Sequence, residues 1–213
     1  MGRITGIEVQ KRDHNRVSIQ IDGAFAFGLS RSLIAGLQVG QELSEDDILA
    51  LRARDDRERA YRQALLFLSF RARSEAEIRR NLQKHEISEA IIEETIARLK
   101  QERFAGDADF ARTWVENRSA FRPRSRRALV FELQRKGLDE ENIQAAVGEV
   151  DEERLAYSAA AQRAARYEGL AWEEFRAKLS SFLARRGFSY DLIGTVVRQL
   201  WDESHSTNHS TGM

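Results

Sequence analysis

Residues 118–127, RSAFRPRSRR, carry Arg118, Arg122, Arg124, Arg126 and Arg127 with no acidic residue among them. A guanidinium is permanently charged and presents a planar fork of donors that fits carboxylate or phosphate oxygens. A stretch this rich in arginine can therefore hold an anionic partner, either nucleic-acid phosphate or an acidic protein surface. The plainer reading is a solvated loop, because charge runs usually face water. Two features favour binding. Ser125 has the chemistry of a helix N-cap, so Arg126 and Arg127 fall in a first turn where the helix dipole disfavours cations. The interval from Arg118 to Ser125 is also four residues longer than its counterpart from Arg71 to Ser74. The basic stretch is thus an insertion in a repeat, and such insertions often map to a binding face.

A second basic set comprises Arg71, Arg73, Arg79, Arg80 and Lys84, with Arg80 and Lys84 on one helical face. Arg135 and Lys136, then Arg185 and Arg186, occupy the equivalent helix in later repeats. They could form a cationic stripe, or they could simply stabilise helix C-termini. Both readings stay open.

Other chemistry is thinly represented. With no cysteine, disulfides, thiolate zinc sites, iron–sulfur clusters and thiol catalysis are excluded. No phosphate-binding glycine loop, nucleophile elbow or HExxH pair occurs. No catalytic site, cofactor or metal is expected, and the chain reads as a non-enzyme. His205 and His209 are spaced for a helical metal pair, but SHSTNHSTGM reads as a disordered polar tail. His14 and His85 lack co-ligands in sequence. Phe110, Trp114, Trp172 and Trp201 lie at helical spacing among apolar neighbours and read as core rather than stacking platforms.

The elements that must position the arginines follow from composition and period. The 213 residues are 32% charged and 42% hydrophobic, with 34 basic residues balancing 34 acidic ones. One proline and 13 glycines favour helix over a turn-rich β fold. No signal-like or membrane-length apolar run occurs, so the expectation is a soluble, cytoplasmic protein away from membranes. Residues 1–43 carry short β-like runs with a hairpin signal at Asp22-Gly23, giving a three-stranded meander. Short helices are expected from Ser30 to Leu37 and, capped by Ser44 with Asp47, over 45–54.

From Asp55 to Glu203 the period is helical. Moving along by 51 residues carries Ser74, Ile78, Leu82, Ile92 and Ile96 onto Ser125, Leu129, Leu133, Ile143 and Val147. A further step of 50 carries the last four onto Leu179, Leu183, Ile193 and Val197. Each unit adds an earlier helix, over 57–70, 107–117 and 151–167. Gly137 and Gly187 follow the middle helix of units two and three, where a helix stop requires positive φ, and Glu86 stands at the matching place in unit one. The fold class is mainly α: tandem three-helix repeats in an elongated, solenoid-like body behind a small N-terminal β-meander. The expected divisions are 1–54, repeats at 55–106, 107–150 and 151–203, and a tail over 204–213.

The segment GDADFARTWVENRSAFRPRSRRALVFELQRKGLDEENI, with RARSEAEIRRNLQKHEISEAIIEETIARLKQERFAGD before it, resembles the RecX family, bacterial regulators of the RecA recombinase. The likeness covers residues 55–203; Glu86 departs from the glycine that many relatives carry, and the β-like N-terminal extension departs from the family's pattern. It implies a helical regulator, most simply an inhibitor, that lies in the groove of the RecA–DNA filament and so acts on homologous recombination, DNA repair and the SOS response. The expected partner is the RecA filament, with direct contact to DNA phosphates a possibility, and the chain is expected to be a monomer. The alternative is a helical module that binds nucleic acid without RecA. The residues expected to make these contacts are Arg118, Arg122, Arg124, Arg126, Arg127, Arg79, Arg80 and Lys84.

Overall fold

A computed structural model describes residues 1–206 and divides them into two compact units. The first holds Met1–Arg73 and Glu77–Ala105; the second holds Ser74–Ala76 and everything from Gly106 onward.

The first unit opens with strands β1 (Gly2–Val9), β2 (Arg16–Ile21) and β3 (Ala24–Ser30). Asp22 and Gly23 both take positive φ in the β2–β3 hairpin, as that dipeptide predicts. The expected meander gains a fourth strand, β4 (Glu42–Leu43), which pairs with Gly2 and Arg3 and makes the order β3-β2-β1-β4. Two residues are too few to show alternation in sequence. The helix expected after Ser30 shrinks to a 3-10 turn, Arg31–Leu33. Ser30 caps nothing there, because its hydroxyl accepts from Arg62 and its N–H donates to Asp55 at 2.7 Å.

Helix α1 runs unbroken over Glu45–Ser69, where two helices were expected. Ser44 and Asp47 form the full capping box. The charged run around residue 55 looks like a break, yet Asp55 lies on the buried stripe with Leu51, Ala60, Tyr61 and Ala64. Its carboxylate is satisfied by Arg16 at 2.8 Å and by the Ser30 N–H. Helices α2 (Glu75–Lys84) and α3 (Glu89–Gln101) complete the first repeat around Ile78, Leu82, Ile92, Ile96 and Leu99. Burying each such side chain contributes roughly 1.5–3 kcal/mol.

The second unit holds α4 (Asp107–Phe121), α5 (Arg126–Lys136) and α6 (Glu140–Val147), then α7 (Glu152–Ala164), α8 (Trp172–Ala184) and α9 (Tyr190–Ser206). The repeat register holds at the leucine, isoleucine and valine positions that repeat in sequence. Leu129, Leu133, Ile143 and Val147 are wholly buried, as are Leu179 and Leu183, with Ile193 and Val197 nearly so. The protein is therefore mainly α, with tandem three-helix modules and a small antiparallel sheet. Phe110 stacks on Trp114 with ring centres 5.7 Å apart, and Trp172 meets Trp201 edge-on at 5.3 Å, so these aromatics pack within their modules. Residues 204–206 continue α9 rather than belonging to a tail, and His209 lies outside the described residues.

The three inter-helix turns are built alike. Ile87, Leu138 and Phe188 each donate an N–H to the leucine carbonyl five residues back, and residues 86, 137 and 187 each donate to the carbonyl three back. This double bond pattern closes a helix when the residue after it is left-handed. Gly137 and Gly187 have φ of 87° and 91°, and Glu86 adopts 59°.

Candidate functional site

The basic stretch lies in the second unit, between α4 and α5. Ser125 caps α5 by accepting the Ala128 N–H at 3.1 Å, which fixes Arg126 and Arg127 in the first turn as the sequence predicts. Arg186, at the end of α8, clasps the loop twice. Its carbonyl accepts the Ser125 N–H at 3.1 Å, and its guanidinium donates to the Pro123 carbonyl at 2.7 Å.

This clasp concentrates charge. Burial, then the guanidiniums of Arg124, Arg122 and Arg163, pull the pKa of Arg186 below the ordinary arginine value. Arg186 and Arg163 both lie over the Phe182 ring, at 4.5 and 5.5 Å. Glu132 answers part of this charge. It accepts from Arg118 at 2.7 Å, from Arg124 at 2.9 Å and from the Trp114 indole N–H at 2.8 Å. Arg118 is held further by the Trp114 face, 4.5 Å away. Arg122 and Arg127 are exposed and make no ion pair or side-chain hydrogen bond among the described residues. Phe121, beside Arg122, is 78% exposed.

Arg126 has a local task that the sequence did not reveal. Its guanidinium donates to the carbonyls of Val150 at 2.8 Å and Gly148 at 3.4 Å, satisfying the end of α6. The second basic set belongs to the first unit. Arg79 pairs with Glu93 and Glu89, which raise its pKa. Arg80 and Lys84 are exposed on α2. Arg71 pairs with Glu77 at 2.9 Å, and Arg73 covers the Phe67 ring at 4.0 Å.

On the second unit Arg122 and Arg124 lie close enough to Arg186 to act on it together with Arg163, Arg118 shares Glu132 with Arg124, and Arg126 and Arg127 occupy the first turn of α5. Arg186 was visible only as a basic helix terminus, because its role at the loop depends on how the second and third modules meet. Such an arrangement can bind oxyanions in several directions at once. It offers no nucleophile paired with a base.

Together these features define a helical-repeat protein of three-helix modules carrying a cationic surface. Comparison with known proteins gives its family. The description "Regulatory protein RecX N-terminal domain" matches residues 2–44, and the first, second and third three-helix domains of RecX match 60–99, 107–147 and 151–197. The chain belongs to the RecX family of regulatory proteins. A regulatory protein RecX of Bacillus cytotoxicus is 29% identical over all of this chain and 82% of its own length. One of Bacillus velezensis is 30% identical over 92% of this chain and 76% of its own. A crystal structure of a regulatory protein RecX superposes with a TM-score of 0.67 at 25% identity, over 92% of this chain and 98% of that one. RecX from Lactobacillus salivarius gives 0.59 at 26% identity, over 69% of this chain and 97% of its own. No helix among the described residues is long and apolar enough to cross a membrane.

Proposed function

We propose that this chain inhibits the RecA recombinase by binding the RecA–DNA filament, and so tunes recombination, DNA repair and the SOS response in the cytoplasm. One observation supports the charge side of that reading. Burial and then the guanidiniums of Arg124, Arg122 and Arg163 depress the pKa of Arg186, while the carboxylate of Glu132 is shared by Arg118 and Arg124. Like charges so placed repel one another in the isolated chain and gain when an anionic partner arrives. The tandem modules would bridge successive recombinase subunits, blocking subunit addition or strand entry without chemistry or cofactor. The test is RecA-catalysed strand exchange titrated with the protein. A falling yield of exchanged product supports the proposal, and an unchanged yield refutes it. A helical module that binds nucleic acid alone would instead show tight, steeply salt-dependent DNA binding that RecA does not alter.

A further inference from the structure

The first unit contains a cationic hollow that the RecA reading does not use. The β1–β2 turn, α1 and the turn after α2 border an open hollow of about 290 Å³, lined by Asp13, Arg16, Arg59, Arg62 and His85 among others. Of the negative groups here, Asp55 is paired, and Asp13 is turned into its own loop. Asp13 accepts the Asn15 N–H at 2.9 Å and shapes its own turn. Asp55, behind the hollow, is held by Arg16 at 2.8 Å and by the Ser30 N–H at 2.7 Å. Among the described residues Arg59 reaches only Asp56, at 3.5 Å, with both side chains more than half exposed.

Arg62 is the least satisfied. One of its N–H groups donates to the Ser30 hydroxyl, a neutral partner. No carboxylate pairs with it, and its buried Nε has no acceptor among the described residues. A neighbouring hollow of the same unit shows the usual arrangement. There Arg57 is paired with Glu94 at 2.5 Å, and Arg98 with Glu102 at 2.9 Å and Glu58 at 3.2 Å. A buried donor without an acceptor is costly. Among the described residues no carboxylate pairs with Arg62.

We propose that the Arg59–Arg62–His85 hollow binds a phosphate group. A phosphate presents oxygens in several directions, so two guanidinium forks and an imidazole can each find an acceptor on it. The volume admits a phosphate with an attached sugar. The source is either a free phosphate compound or a phosphate of a nucleic-acid chain, and both engage the same donors.

The experiment follows the melting temperature of the full chain with rising inorganic pyrophosphate, against sodium chloride at equal ionic strength. Specific binding to the native state raises the transition as ligand exceeds its dissociation constant. The parent should show a saturable rise with pyrophosphate beyond that with chloride. The Arg59→Gln/His85→Gln variant changes two accessible side chains and should need at least tenfold more pyrophosphate for the same rise. Arg62→Gln should lose the response as well. Should that variant fail to fold, the first variant decides alone. Equal responses in the parent and Arg59→Gln/His85→Gln would overturn the proposal, as would a rise that chloride reproduces. The source is identified by adding a single-stranded oligonucleotide to the pyrophosphate-saturated protein. Displacement that fails in Arg59→Gln/His85→Gln assigns the site to nucleic-acid phosphate. No displacement assigns it to a free phosphate compound.

Discussion

Ser125 and Gly187 stand so close that a β-carbon at residue 187 would lie 2.6 Å from the Ser125 hydroxyl oxygen. It would also come within 3.1 Å of the Ala128 β-carbon. Gly137 repeats the relationship with Ala76, whose β-carbon would be 2.5 Å away, while the Ser74 hydroxyl donates to the Lys136 carbonyl at 2.7 Å. Both contacts lie within the second unit. They explain why Ser74 and Ser125 are fully buried at corresponding places. Two demands coincide at these glycines: a left-handed backbone and room for a neighbour.

Gly187→Ala should therefore cost the left-handed penalty of about 1–2 kcal/mol and an overpacking penalty of about 1–3 kcal/mol. Gly137→Ala should behave similarly. Glu86 adopts the same left-handed turn with φ of 59°, and its side chain is exposed. Relieving the left-handed conformation in Glu86→Gly gains about 1 kcal/mol, offset by the greater freedom of glycine in the unfolded chain. The net change should lie between zero and about 1 kcal/mol of stabilisation. Urea titrations of the three variants check the order, and a clear loss in Glu86→Gly would contradict it.

Asp55 ties the sheet to α1, being 4% exposed and bonded to Arg16 and the Ser30 N–H. Removing one partner of a buried pair commonly costs about 3–5 kcal/mol. Asp55→Ala should approach that range. Asp55→Asn should lose less, because its amide oxygen can still accept the Ser30 N–H. Equal losses would mean that charge pairing with Arg16 dominates entirely. Thermal unfolding of both variants distinguishes the cases.

Glu102 makes acid stability testable. The Tyr61 hydroxyl, then Arg98, hold its pKa below the ordinary glutamate value. A lowered folded pKa means that the unfolded chain takes up the proton first. The stabilisation is therefore complete above about pH 4.3 and disappears as pH falls through the lower folded value. Tyr61 acts at the other end of the scale. Burial, then Glu102, raise its pKa, so its contribution holds below about pH 10 and fades above it. Glu102→Gln should flatten the acid limb of a stability–pH curve and also weaken the alkaline limb. An unchanged acid limb would show that the pair carries no stability.

The repeat architecture was legible because its signals are local. Leucines and isoleucines recur at fixed offsets, and Gly137 and Gly187 mark helix ends that differ only in sequence position. The capping box at Ser44 and Asp47 and the cap at Ser125 are equally local. What was hidden depends on distant partners. Asp55 interrupted the apolar stripe of α1 and made one helix read as two, because Arg16 and Ser30 satisfy it from another element. Arg126 read as a cation with no structural reason to occupy a first turn, yet the Gly148 and Val150 carbonyls that it serves lie beyond the next helix. Arg186 reaches the Pro123 carbonyl across 63 residues.

The central claim is that exposed arginines of the second unit bring this protein to the RecA filament. Arg122→Ala/Arg127→Ala tests it most directly, because neither side chain has a partner among the described residues, and Arg126 keeps its place at the end of α6. Surface substitutions of this kind change stability by no more than about 0.5 kcal/mol, and removing Arg127 from a helix N-terminus relieves an unfavourable charge. RecA-catalysed strand exchange is titrated with parent and variant from low to high salt. The account predicts equal melting temperatures and markedly weaker inhibition by the variant at low salt, with the gap narrowing as salt screens the parent's contacts. Inhibition curves that coincide at every salt concentration would contradict it.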